Sequence, residues 1–208
     1  MSEYMSDEER LGKLREWWMQ NGTSIVIGVV VAIAGVFGWR WYQSNAETSL
    51  AEAADRYRAY VDAAPSDQTA MADAIVEADG QHAYPALVLF RRAQAAVVAG
   101  DLAAAETALT QAVDVASGAV LADLARLRLA RVQHAQDRPD DAIATLALVR
   151  ASGMVSLAKE LTGDIELSRG ARTAAHAAYT AALVDLHAEE QRTLLEAKIA
   201  DTADASDA

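Results

Sequence analysis

Residue types that could catalyse a reaction or bind a metal ion are sparse along this chain. It has no cysteine and only four histidines. The histidines stand far apart, and none has a second ligand at metal-binding spacing: His82, His134, His176 and His187. His187 and Glu190 are three residues apart on a predicted helix, but two ligands do not complete a zinc site. We therefore expect a solvated helix surface there and no metal site.

Sequence motifs for nucleophilic catalysis and phosphate binding do not occur either. The chain has no GxGxxG, phosphate-binding loop, GxSxG or HExxH, and no serine stands beside a recognisable base. Its carboxylates are spread over helix faces without a distinct pair. The sequence predicts a protein that is not an enzyme, with no catalytic residue, no cofactor and no small-molecule substrate.

The densest basic group consists of Arg126, Arg128 and Arg131. Its simplest role is a solvated helix face with salt links to acidic neighbours, and a site for an anion or a partner is the alternative. The whole chain carries a net charge of −12, of which residues 43–208 contribute −11, from 14 cations and 25 anions. An acidic domain is poorly suited to phosphate contacts, so no nucleic acid partner is expected.

One stretch differs sharply from the rest of the chain. No charged residue occurs from Trp17 through Trp39, and aromatic side chains collect at the two ends: Trp17 and Trp18, then Trp39, Trp41 and Tyr42. A helix from Trp18 to Trp39 is about 31 Å long, close to the ~30 Å hydrocarbon core of a bilayer. Tryptophan and tyrosine concentrate at membrane–water interfaces. We predict a single transmembrane helix with an aromatic belt at each interface.

Two alternatives to a retained membrane anchor remain. A buried helix of a soluble protein could be as apolar, but it would not need tryptophans only at its ends. A cleaved signal peptide is the stronger rival, because Ser44-Asn45-Ala46 resembles a cleavage site. However, the segment before the apolar run mixes five anions with three cations, whereas a signal peptide begins with a basic region. The sequence therefore favours a retained anchor.

The cations that flank the span predict its orientation. Arg10, Lys13 and Arg15 precede it closely, whereas Arg40 is the one cation near its other end. Because Lys and Arg collect on the cytoplasmic side, we expect the short leading tail in the cytoplasm and the large trailing domain outside.

Small residues within the span mark a candidate face for helix association. Gly28 and Ala32 are four residues apart, and so are Ala34 and Gly38. This spacing allows two membrane helices to approach closely. Glycine and alanine are also common in membrane helices in general, so the pattern does not by itself require a partner helix.

The trailing domain contains a repeat. Gly100, Asp137 and Gly170 mark turns at spacings of 37 and 33 residues. Fixed offsets from these marks carry matching residues: Ala105, Ala142 and Ala175 five after; Leu109, Leu146 and Tyr179 nine after; Ala112, Val149 and Ala182 twelve after; Ala93, Ala130 and Gly163 seven before. Alanine favours helices, and no segment alternates with a period of two. The units resemble tetratricopeptide repeats, which stack helical hairpins.

These patterns predict an all-α fold in which one N-terminal transmembrane helix precedes an α-solenoid of tetratricopeptide-like hairpins. Pro65 should end the helix that follows the span, and Ser66 should cap the next one. The predicted segments are a cytoplasmic tail (1–20), the transmembrane helix (21–42), a stalk helix with an N-terminal helical pair (43–80), the repeats (81–187), and a capping helix with a frayed acidic tail (188–208).

Stacked hairpins leave a groove lined by the first helix of each pair, which suits an extended or helical apolar peptide. The candidate lining residues are Leu87, Phe90, Val97, Leu124 and Leu127. The same residues also fit ordinary core positions. The sequence fixes the helix register only to about one residue, so it does not determine which of these side chains face the groove. We expect most of them to lie in the core.

Several weak motifs in a specific order resemble the YfgM family. They are Trp18 with Asn21-Gly22, a glycine-containing span, Gly38-Trp39-Arg40-Trp41, and LRLARVQ at Leu127 to Gln133 within an alanine-rich repeat domain. The resemblance covers the whole chain. It implies a single-pass inner-membrane protein of Gram-negative bacteria whose repeat domain is periplasmic. It also implies an ancillary subunit of the SecYEG translocon that associates with the membrane-anchored periplasmic chaperone PpiD.

The function that the resemblance implies is that of an adaptor, which helps to pass emerging, unfolded polypeptides to periplasmic chaperones. The family supplies no enzymatic residue. A structural scaffold in envelope assembly or cell division, without client proteins, is the alternative from a different class.

Overall fold

The structure is a computed structural model that describes residues 7–186 and 189–203, with side chains for residues 10–186 and 192–203. These residues form helices and connecting turns with no strand, so the all-α prediction is confirmed. The helices are α1 (Asp7–Asp62), α2 (Pro65–Ala78), α3 (Tyr84–Val98), α4 (Leu102–Val115), α5 (Ala119–Ala135), α6 (Pro139–Leu146), α7 (Ser152–Ser168), α8 (Arg172–Val184) and α9 (Glu189–Thr202).

The chain divides into two compact units, Met1–Glu52 and Ala53–Ala208, and α1 contributes to both. In the first unit, α1 carries an apolar window with a mean hydropathy of 2.0, within a helix long and apolar enough to cross a membrane. Its large apolar side chains are exposed, for example Val30 at 59% and Phe37 at 68%. Continuous apolar exposure of this extent calls for a lipid environment or a partner.

Proline begins the second helix where serine was expected to cap it. Helix α1 ends at Asp62, and α2 begins at Pro65 with Ala64 in an extended conformation before it. The Ser66 hydroxyl donates to the carboxylate of Asp67 at 3.1 Å and does not cap the helix. The capping prediction was wrong because proline fits the first helical position, where its fixed φ suits a helix and its missing N–H is not needed.

The second unit is a series of helical hairpins. Helices α3 and α4, α5 and α6, and α7 and α8 pair in turn, and each pair packs on the next. Helix α2 packs against α3 at one end, and α9 packs against α8 at the other. Buried apolar clusters lie along the series and not in one centre, as expected when each hairpin buries its apolar face on its neighbours.

The three predicted turn marks adopt the same backbone conformation. Gly100, Asp137 and Gly170 have φ values of 78°, 59° and 78°. In each turn the N–H of the next residue donates to a carbonyl five residues back in the sequence, at 2.9, 3.0 and 2.9 Å respectively. This left-handed ending of a helix satisfies carbonyls that would otherwise lack partners. The repeated geometry explains why the turns recur at matching places in the repeat.

Small residues allow the paired helices to approach closely. Ala105, Ala142 and Ala175 are fully buried at the start of the second helix of each hairpin. In the third hairpin, Tyr179 takes the place of leucine and Gly163 takes the place of alanine. A Cβ atom on Gly163 would lie 2.4 Å from the ring of Tyr179, so the larger and smaller residues compensate each other.

The third hairpin is closed by α9. Leu195 is buried beside Tyr179, and the Nζ atom of Lys198 donates to Glu160 and Asp164 at 2.7 Å each. Burial alone would lower the pKa of Lys198, but these two carboxylates outweigh it, and the pKa lies above its usual value. The ammonium group therefore stays charged and links α9 to α7.

Candidate functional site

A concave surface in the second unit is a groove lined by α3, α4 and α5 together with Tyr57 of α1, which we call the arginine groove. Its volume is about 640 Å³. The lining residues are Tyr57, Leu87, Phe90, Arg91, Ala93, Gln94, Val97, Val98, Leu102, Leu109, Leu124, Arg128, Arg131, Val132 and Ala135. A concave site of this size, mostly apolar with a few polar groups, is typical of a binding site.

Helical spacing brings the apolar lining onto one face of each wall. On α3, Leu87, Phe90 and Val97 follow one another at intervals of three and seven residues, so they share a face. Phe90 is almost fully buried, whereas Val97 is 45% exposed. On α5, Leu124 and Val132 contribute the opposite apolar surface. The site is therefore built on helices, whose side-chain positions are better defined than those of loops.

Three arginines, Arg91, Arg128 and Arg131, line the same groove. Arg128 lies over the ring of Phe90, 4.2 Å from its centroid, and Arg91 lies 5.9 Å from the centroid of Tyr60. Burial lowers the pKa of Arg128, and the positive charge of Arg131 lowers it further. Stacking on an aromatic face restricts the guanidinium plane and leaves its edge free to donate hydrogen bonds.

The residues that the sequence proposed for the groove fall into two groups in the structure. Leu87, Phe90, Val97 and Leu124 line the arginine groove. Leu127 does not, because it is turned about 60° from Leu124 around α5. It is 3% exposed and packs with the buried residues of α6 and α7. Leu127 is thus a core residue.

The basic group seen in the sequence also divides into two parts. Arg128 and Arg131 line the groove, whereas Arg126 donates to the buried carboxylate of Asp123 at 2.6 Å. The spacing of three between Asp123 and Arg126 is a signal for such a pair on one helix. Sequence reasoning missed Arg91, although its position between Leu87 and Gln94 follows the same helical spacing as the groove residues.

The proposed membrane residues lie in the first unit. The belt residues Trp17, Trp18, Trp39, Trp41 and Tyr42 are between 51% and 72% exposed. A Cβ atom added at Gly28 or Gly38 would meet no other atom within 4 Å. The surface that includes Ala32 and Ala34 is likewise exposed. The belts and the association face stay predictions, since no membrane or second helix is present.

The described histidines do not gather into a ligand set. In residues 7–186 and 189–203, no group of three His, Cys, Asp or Glu residues is placed to hold a metal ion. His187 and the side chain of Glu190 lie outside the described residues.

Comparison with known proteins is consistent with this architecture. The tetratricopeptide repeat-like domain family matches residues 15–204. The fold and the match together define a tetratricopeptide-like repeat protein. No solved structure matches the chain significantly.

Curated relatives narrow the class. A protein of Haemophilus influenzae named ancillary SecYEG translocon subunit is 30% identical over 84% of this chain and 87% of its own length. Proteins of the same name from Aggregatibacter actinomycetemcomitans and Escherichia coli are 29% and 27% identical, over 93% and 87% of this chain and 97% and 89% of theirs. The chain belongs to this family of ancillary SecYEG translocon subunits, which is the YfgM family indicated by its sequence.

Proposed function

We propose that the protein is a non-enzymatic adaptor anchored in the bacterial inner membrane beside the SecYEG translocon. The observation that carries this proposal is its similarity, over nearly the whole length of both chains, to relatives named as translocon subunits. The similarity includes the apolar part of α1 as well as the repeats, so it concerns the complete arrangement of anchor and repeat array.

The apolar part of α1 is the proposed single membrane span. In this proposal the aromatic belts lie at the two interfaces, the N-terminus is cytoplasmic and the repeat domain is periplasmic. Lateral contact with a partner helix would use the face that contains Gly28 and Ala32, and Ala34 and Gly38 form a second small-residue surface about 120° away around α1. Anchoring raises the local concentration of the repeat array at the channel exit, which strengthens weak contacts without new interactions.

The repeat array is the proposed contact surface for polypeptides and for a PpiD-like periplasmic chaperone. Its arginine groove offers apolar side chains to an unfolded segment that leaves the channel. Affinity at such a site depends on a few apolar anchors. A segment that offers few of them would be held weakly and could be released to a chaperone.

Copurification of SecYEG with the tagged full chain, after mild crosslinking in cells, tests the proposal. The wild type should retain SecYEG, and Gly28→Leu/Ala32→Leu should retain much less, because bulky side chains keep the helices apart. Val26→Leu/Val30→Leu is the matched control, since these positions have the same spacing on the side of α1 opposite Gly28 and Ala32. Absence of SecYEG from the wild-type sample, combined with localisation to a division septum, would contradict the proposal and favour a structural scaffold.

A further inference from the structure

Charge around the arginine groove is opposite in sign to that of the domain that contains it. Residues 43–208 have a net charge of −11. Among the residues whose side chains the structure describes, however, the charged groups that line the groove are Arg91, Arg128 and Arg131, with no aspartate or glutamate. Charges of one sign around a low-dielectric cleft focus its field on an incoming ligand. A ligand with carboxylates would therefore be attracted to this part of an otherwise acidic surface.

The three groove arginines differ from most other arginines of the second unit. Elsewhere arginines form ion pairs with carboxylates: Arg56 with Asp79, Arg58 with Asp55, Arg92 with Asp73, Arg126 with Asp123, Arg138 with Glu106 and Asp141, and Arg169 with Asp140. Among the described residues, no carboxylate pairs with Arg91, Arg128 or Arg131. The charges at the groove are thus not neutralised within the described part of the chain.

Position adds to this contrast. Arg128 and Arg131 are three residues apart on α5, close enough for the charge of Arg131 to lower the pKa of Arg128. Arg91 comes from α3, the other wall. A carboxylate placed between these guanidinium groups would relieve their repulsion. Arginine forms paired hydrogen bonds with carboxylates, and the contact with the ring of Phe90 holds the Arg128 guanidinium at the groove.

We propose that the arginine groove binds a polypeptide segment that carries acidic residues beside its apolar ones. The inference rests on the proposed function, since it specifies the chemistry of the polypeptide that the adaptor holds. The apolar side chains would enter the surface formed by Phe90, Val97 and Leu124, and the carboxylates would meet the arginines of the two walls. Cations on two helices suit a segment with more than one carboxylate better than a fatty acid, which has one.

Binding of matched peptides to the full-length protein in detergent micelles tests the proposal. The probe is a fluorescent amphipathic peptide of about twelve residues, roughly three helical turns, with leucines on one face and two flanking glutamates. Two partner peptides replace the glutamates by glutamine or by lysine. At low salt the glutamate peptide should bind about tenfold more tightly than the glutamine peptide, and the lysine peptide most weakly. Added salt should reduce the difference.

Substitutions of the groove arginines should change this order. Arg128→Gln/Arg131→Gln should bind the glutamate peptide no better than the glutamine peptide, and Arg128→Glu/Arg131→Glu should prefer the lysine peptide. The control Arg58→Gln/Arg92→Gln removes the same charge outside the groove lining and should change affinity less than about twofold. Circular dichroism and the melting temperature verify that each variant folds.

Each contrary result has a distinct meaning. The charge preference would be overturned if the wild type bound the three peptides equally. It would also be overturned if the glutamate peptide bound the wild type and Arg128→Glu/Arg131→Glu equally. Either result would leave the adaptor function intact. Binding of oleate but of no peptide would make the groove a lipid site and overturn the proposal. Peptide binding that disappears as the protein self-associates would assign the groove to a second copy and also overturn it. The copurification of SecYEG is independent of all of these results.

Discussion

Asp123 is a carboxylate that organises its surroundings although it lies outside the arginine groove. It is 1% exposed and accepts hydrogen bonds from the backbone N–H groups of Arg150 and Ala151, at 2.8 and 2.7 Å, and from Arg126. Burial alone would raise the pKa of Asp123, but these donors outweigh it, and the pKa lies below its usual value. The side chain fixes the loop between α6 and α7, which follows a helix of only eight residues.

Because its pKa is depressed in the folded state, Asp123 contributes stability above the unfolded pKa of about 3.9, and this contribution is lost as the pH falls through the folded pKa. Asp123→Asn should lower the free energy of unfolding by about 2 kcal/mol at pH 7. The difference in the free energy of unfolding between wild type and variant should decrease below about pH 4. Urea unfolding followed by circular dichroism at both pH values measures this.

Asp55→Asn is the control for this substitution, since Asp55 and its partner Arg58 are both largely exposed. Its effect should be below about 0.5 kcal/mol at either pH. If the loss in the free energy of unfolding caused by Asp123→Asn stayed constant down to low pH, the ionised carboxylate of Asp123 would not be its source.

The contact between Gly163 and Tyr179 gives a second prediction at the residue scale. Gly163→Ala should destabilise the protein by about 1–3 kcal/mol, reduced by up to about 1 kcal/mol because alanine is the better helix former. Tyr179→Leu, which restores the leucine of the other hairpins, should make the added methyl group tolerable. A double-mutant cycle of melting temperatures measures the coupling.

Gly153→Ala serves as the control, because a Cβ atom there would meet nothing within 4 Å. It should be neutral or slightly stabilising. Equal effects of Gly163→Ala in the presence and absence of Tyr179 would show that the ring is not the obstacle.

Sequence patterns reached the residue scale only in part. The recurring offsets from the turn marks identified Ala105, Leu109 and Ala112 as packing positions, and all three are buried. They did not separate Leu124 from Leu127, since a difference of about 60° around a helix is smaller than the uncertainty in register. The close contact of Gly163 with Tyr179 depends on the distance between two helices, which one helical pattern does not define.

At the scale of elements, the left-handed turns that link the paired helices give opposite predictions for glycine and aspartate. Gly100→Ala should cost about 1 kcal/mol, because a side chain is disfavoured at a φ of 78°. Asp137→Gly should instead stabilise the protein or leave it unchanged, because aspartate there already has a φ of 59°. Melting temperatures of the two variants measure the difference.

Gly80→Ala is the matched control for the turns, since its backbone is not left-handed and space is open around it. Its effect should be small. Destabilisation by Asp137→Gly equal to that of Gly100→Ala would indicate that the aspartate side chain, and not the backbone conformation, maintains the turn.

Helices and turns were the most predictable elements of this protein. Gly100 and Gly170 each interrupt a helical pattern, as glycine does at the end of a helix, and Pro139 begins α6 at the position that proline prefers. Ser66 was misjudged because two valid starting signals, a serine cap and a proline at the first position, lie next to each other. Local chemistry allowed both, and the structure uses the proline.

At the scale of the whole molecule, the proposed orientation in the membrane would decide which partners the repeat array can meet. The chain has no cysteine, so single cysteines report topology directly. In spheroplasts a membrane-impermeant maleimide should label Ser66→Cys, whereas it should label Gly12→Cys only after lysis. The cations before the span are the physical reason.

The molecular mass of the labelled protein on a gel distinguishes a retained anchor from a cleaved signal peptide. A retained anchor predicts that both labelled variants have the full molecular mass. A shortened product in which Gly12→Cys is lost would indicate a cleaved signal peptide. Labelling of Gly12→Cys in intact spheroplasts would reverse the proposed orientation.

The cluster of arginines in the groove could not be predicted from any one segment of the sequence. Arg91 and Arg128 are 37 residues apart in the sequence; the sequence pattern assigns Arg128 to a solvated face and does not single out Arg91. Only the packing of α3 against α5 brings them to one cleft. Charge summed over the domain also concealed the feature, because three cations are few against 25 anions.

Site-specific photocrosslinking in cells tests the central claim that the groove receives translocated polypeptides. A photoreactive amino acid replaces Val97 inside the arginine groove, and Val184, which is 80% exposed outside the groove lining, is the control position. Mass spectrometry should identify exported proteins at Val97 but not at Val184, and their yield should fall when translocation is blocked. Similar products at the two positions, or exported proteins at Val184 alone, would contradict the claim.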